Sequence, residues 1–165
     1  ARAEVSVTAS GPKHTLCLGL GAARAIDYQQ EDFAKAIANY TENQGVDVIV
    51  DVIGAPYFRQ NIESLAPDGR LVLLAFMGGY KITDASLSPD LMKRLSITGS
   101  TLRSRSLPYK IKLTQDFQAF AWEAITDGTV APVIDSVFDW REAAEAHRRM
   151  EANTNAGKIV LRVTE

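Results

Sequence analysis

The chain has 165 residues, of which 46% are hydrophobic and 23% charged, with a formal net charge of -2. That length allows one compact domain with a sizeable core, and the mildly acidic balance gives no electrostatic reason to expect nucleic acid or an anionic membrane as a partner. No apolar run approaches the roughly 20 residues that span a bilayer, Ala1 to Thr8 lacks the sections of a secretory leader, and the single cysteine, Cys17, excludes an intrachain disulfide and a cysteine-rich zinc cluster, so a cytoplasmic protein is the default expectation.

The pattern alternates strand and helix. Glu4 to Thr8 predicts a short strand. Pro12 suits the first turn of a helix, because its missing N–H and fixed φ cost nothing there, and Gly21 suits its stop. Ala25 to Asp27 reads as a strand. From Glu31 to about Asn43, Phe33, Ile37 and Tyr40 share one helical face. Val46 to Val52 is rich in valine and isoleucine, as expected of a parallel strand covered on both faces. A helix is expected from Pro56 to Leu65, a turn at Pro67-Asp68-Gly69, and a buried strand from Leu71 to Phe76. Pro89 to Leu95 reads as a short helix, and Ser96 to Leu102 as the next strand. Between Pro108 and Asp127 the residues Tyr109, Leu113, Phe117, Phe120, Ala121, Ala124 and Ile125 keep helical spacing. Val133 to Phe138 is a strand. Asp139 and Glu142 have capping-box spacing before a helix to about Ala152, and Lys158 to Val163 closes the chain as a strand. Strands separated by helix-length crossovers predict a parallel α/β sheet.

The strings LGAARAIDYQQEDF, GVDVIVDVIG, LAPDGRLVLLAFMGG, RLSITGSTLRSRS and VIDSVFDWREAAEAHRRMEANTNAGKIVL, in this order, resemble the quinone oxidoreductase (zeta-crystallin-like) branch of the medium-chain dehydrogenases. The resemblance is to the C-terminal half of the subunit. It implies an incomplete Rossmann-like, doubly wound parallel sheet over residues 1–130, whose first strand and glycine-rich phosphate loop are absent, followed by a strand-helix-strand tail over 131–165 that packs with a GroES-like catalytic domain. The substrate pocket of this branch is built largely by that other half. No catalytic side chain is therefore assigned, and the chain by itself is expected to be inactive.

The resemblance also implies a nicotinamide dinucleotide, with contacts at the strand ends. The segment after the first strand carries no Asp or Glu to accept from an adenosine ribose 2′-OH. Ser10 and Lys13 suit a 2′-phosphate instead, which with the resemblance predicts NADPH; by themselves they read as a solvated loop and a helix-start lysine. In the family a tyrosine at the position of Tyr28 lies near the adenosine phosphate, and Tyr28 also reads as a packed surface residue. Ile53 and Gly54 are expected on the adenine-ribose side, although Gly54 can simply permit a turn. Phe76, Met77 and Gly78 are expected along the nicotinamide ribose and ring, against a plain core role. The backbone of Ser100, Thr101 and Leu102 is expected to meet the carboxamide. Asn155 is expected where the tail folds back toward the cofactor, or in a solvated loop. His14 and His147 have no second ligand at metal spacing, and His147-Arg148-Arg149 reads as a solvated helix face. Cys17 reads as a small buried hydrophobe.

The implied activity is hydride transfer from NADPH to a quinone or another α,β-unsaturated carbonyl compound, without zinc. Alternatives are an enoyl-thioester reductase of the same superfamily and a dinucleotide-binding or assembly module without turnover. The expected partners are a small-molecule substrate and a second copy of the chain, joined through the unpaired edge of Ser96 to Leu102.

Overall fold

The computed structural model describes residues 3–83 and 86–164, and the chain divides into two compact units, Ala1–Arg105 and Ser106–Glu165. The first unit contains β1 (Ser6–Thr8), a 3₁₀ turn (Gly11–Lys13), α1 (His14–Gly19), β2 (Arg24–Ile26), α2 (Phe33–Tyr40), β3 (Val46–Asp51), α3 (Ala55–Ser64), β4 (Leu65–Leu73), α4 (Ser88–Met92) and β5 (Ser96–Gly99). Every pairing is parallel: β1 with β2, β3 with β4, and β4 with β5. The strands thus form a pair, β1-β2, and a trio, β3-β4-β5. Parallel neighbours need a crossover connection, and the helices supply it. Among the described residues β1 and β3 each have one hydrogen-bonded neighbour, the arrangement that the expected incomplete doubly wound sheet requires. On β3, which pairs with β4 alone among the described residues, Val48 and Val50 are 46% and 62% exposed.

Two clusters make the core of this unit. Ile26, Phe33 and Ile37 join β2 to α2, with Val46 and Tyr57 packed against them. Ile62, Leu65 and Leu71 join α3 to β4, flanked by Ile49, Phe58 and Leu95. Asp32 caps α2 by accepting from the N–H groups of Ala34 and Lys35, and the Gln60 amide of α3 reaches the same carboxylate at 3.0 Å. The turn expected at Pro67-Asp68-Gly69 lies inside β4 as an irregularity. Val46 faces Leu65 and Val48 faces Arg70, so the intervening residues loop out, with Asp68 at φ 63°. The end of α3 is closed from a distance: the Lys93 ammonium donates to the carbonyls of Ile62, Glu63 and Leu65 at 3.0, 2.9 and 2.7 Å, three acceptors that a helix C-terminus leaves unpaired.

The second unit consists of α5 (Leu107–Thr126), β6 (Ile134–Asp139), a 3₁₀ turn (Trp140–Glu142), α6 (Ala143–Glu151) and β7 (Lys158–Arg162), with β6 and β7 parallel. The Asp139–Glu142 capping box forms. Of the apolar stripe on α5, Ala121 is buried. The expectation of a wholly solvated His147-Arg148-Arg149 face is corrected at Arg149. Its guanidinium makes a two-bond contact with Asp135 of β6 at 2.6 and 3.0 Å, and the same carboxylate accepts the Ala156 N–H. The Arg149 guanidinium, and then the Ala156 N–H, hold the Asp135 carboxyl far below the usual carboxylate range. No helix among the described residues is long and apolar enough to cross a membrane.

Candidate functional site

Open α/β sheets bind ligands at the carboxyl ends of their strands, where crossover segments leave the sheet. Every candidate residue except Asn155 follows such an end in the first unit.

After β1 the chain is tied to β2. The Ala9 N–H donates to the Ile26 carbonyl at 3.0 Å, and His14 Nε2 lies 2.9 Å from the Ala9 carbonyl. The Gly11 N–H donates to Asp27 Oδ2 at 3.1 Å, while Asp27 Oδ1 accepts from Gln29 N at 3.0 Å. A Cβ on Gly11 would stand 2.9 Å from the same carboxylate oxygen, so a larger residue there would displace the Asp27 side chain. Ser10 makes no capping bond with its side chain, and Lys13 ends the 3₁₀ turn. β1 itself contributes no acid, as its sequence says, but the residue just past β2 does. The signal for Asp27 was present: an aspartate just past a strand, with a backbone N–H two residues on, is an Asx turn.

After β2 stands Tyr28, 39% exposed, its ring against Tyr57 of α3. After β3 the chain turns on a buried carboxylate. Asp51 is 4% exposed; its Oδ1 accepts from Ile53 N at 2.7 Å and its Oδ2 from Gly54 N at 3.0 Å. Gly54 has φ 87° and ψ -130°, a conformation open in practice to glycine. It forms a parallel bridge with Gly79, and a Cβ there would meet the Gly79 carbonyl oxygen at 2.5 Å and Phe76 Cδ1 at 2.7 Å. Gly54 therefore permits a close crossing as well as a turn.

The Leu71–Phe76 expectation runs past the strand, which ends at Leu73. Hydrogen bonding continues irregularly beyond it: Leu74 N to Asp51 O, Met77 N to Val52 O and Gly78 N to Ile53 O, at 2.9 to 3.0 Å. Phe76, Met77 and Gly78 are thereby set beside Ile53 and Gly54. Phe76 and Met77 are 53% and 80% exposed. A groove of about 1000 Å³ opens between α3 and residues 78–83, lined by Phe58, Ile62 and Tyr80 among others. Likewise β5 ends at Gly99, before Ser100, Thr101 and Leu102. The Ser100 N–H makes the last rung, to Leu73 O at 2.9 Å, and the Thr101 carbonyl accepts from Arg105 Nε at 3.3 Å. Leu102 is exposed. Asn155 belongs to the second unit, where its amide closes a turn on the Gly157 carbonyl at 3.0 Å.

These strand ends present an aromatic ring, a hydroxyl with a lysine, a glycine crossing, exposed apolar side chains and backbone groups. That donor set fits a nicotinamide dinucleotide. Among the described residues no group of three or more His, Cys, Asp and Glu side chains is placed to hold a metal ion, and Cys17 is partly rather than fully buried.

The zinc-binding dehydrogenase family matches residues 20–161. Quinone oxidoreductase-like protein 2 of Bos taurus is 26% identical over 162 residues, which cover 95% of this chain and 44% of that protein. A 2-haloacrylate reductase of a Burkholderia species is 26% identical over 146 residues, covering 86% and 42% respectively. The crystal structure of an NAD-dependent alcohol dehydrogenase superposes with a TM-score of 0.80 at 30% identity, over 98% of this chain and 44% of that one. The chain thus spans less than half the length of these relatives, corresponding to their C-terminal half.

Proposed function

The chain belongs to the zinc-binding dehydrogenase family, and from that membership we propose that it is the dinucleotide-binding part of an oxidoreductase that moves hydride from NADPH to a quinone or another α,β-unsaturated carbonyl compound. Residues 1–130 are the dinucleotide-binding domain in this reading, and 131–165 pack with a catalytic domain. The names of two relatives, a quinone oxidoreductase-like protein and a 2-haloacrylate reductase, support an electron-poor substrate. When bound, the cofactor supplies the hydride, and the protein supplies orientation and electrostatics. Phe76, Met77 and Gly78 pack along the nicotinamide side and exclude water. The backbone at Ser100, Thr101 and Leu102 fixes which ring face is presented. Ile53 and Gly54 take the adenine-ribose side, and Tyr28 lies by the adenosine phosphate. No step passes through zinc.

The observation that carries NADPH over NADH is the turn after β1, where Ser10 and Lys13 stand and the strand ends without an acid. A second reading, NADH preference, is favoured by one specific observation: the Asp27 carboxylate lies within hydrogen-bond distance of Gly11 in that same turn, and one relative is NAD-dependent. Both Asp27 oxygens accept backbone N–H groups, which in our reading makes them less available to a ribose hydroxyl. Calorimetric titration with NADPH and NADH separates the two. Lys13→Glu weakens NADPH by about 1.5–3 kcal/mol, the size of a lost charge-assisted contact, and NADH by much less. Equal weakening of both cofactors removes the 2′-phosphate assignment.

A further inference from the structure

We draw no further inference here: the strongest candidate, the groove of about 1000 Å³ between α3 and residues 78–83, opens to solvent along the exposed crossover from β4, and nothing in the structure shows what fills it.

Discussion

Replacing Asp51 by alanine removes the acceptor on which the end of β3 turns. Its two oxygens take the N–H groups of Ile53 and Gly54 at 2.7 and 3.0 Å, and the side chain is buried, so water is poorly placed to replace it. Hydrogen bonds to a charged group contribute about 1.5–3 kcal/mol each. Relaxation of the turn recovers part of two such bonds, and we expect a loss of about 3 kcal/mol. Asp51→Asn keeps one acceptor oxygen and is expected to lose about half as much. With a urea slope of about 1.5 kcal/mol per molar, the alanine variant should unfold roughly 2 M earlier. Dinucleotide affinity should fall as well, measured well below that midpoint, because Ile53 and Gly54 lose their positions. An alanine variant within about 0.5 kcal/mol of the parent, the scatter of an ordinary surface change, would falsify the claim that this carboxylate organises the strand end.

Gly54→Ala meets both a positive φ and the Gly79 carbonyl oxygen at 2.5 Å, so denaturation should show a loss of about 3 kcal/mol or more; a neutral outcome would mean that the crossing of the two strand ends relaxes freely. Acid titration followed by circular dichroism tests the Asp135–Arg149 pair. A carboxyl held below its unfolded value, about 3.9, contributes stability that is complete above that value and lost as pH falls toward the folded one. The parent should therefore lose stability between about pH 5 and 2 by more than Asp135→Asn does, and parallel curves would exclude the linkage. β5 pairs with β4 alone among the described residues and is exposed along its length. We accordingly expect the native protein to be a homodimer through Ser96 to Leu102, weakened by Ile97→Pro or Gly99→Pro in sedimentation; a folded proline variant with unchanged association excludes this edge.

Much of the fold was legible because β-branched runs and helical spacing are local signals. Val46–Asp51, Leu107–Thr126 and the Asp139–Glu142 cap lie where pattern puts them. Strand ends were not legible, since they depend on partners distant in sequence. Phe76 and Met77 read as strand residues but lie beyond the regular ladder, where an irregular set of bonds to Val52 and Ile53 takes over. The exposure of Val48 and Val50 goes with the incomplete sheet that the resemblance implies, since β3 pairs with β4 alone among the described residues. Within the site, Ser10 and Lys13 could be named from sequence, while Asp27 could not be joined to them: the contact spans sixteen positions. Tyr57 had only a weak signal, its spacing of four and seven from the buried Asn61 and Ser64 on the same helix. Arg149 looked like any helix-face cation until β6 brought Asp135 beneath it.

Steady-state oxidation of NADPH by the native protein, with a panel of quinones and α,β-unsaturated carbonyl compounds and NADH as the comparison, tests the central claim most directly. The account predicts substrate-dependent consumption of NADPH, faster than of NADH at equal concentration and indifferent to a zinc chelator. Tight dinucleotide binding with no oxidation by any member of the panel would contradict it and leave a binding module in place of an enzyme.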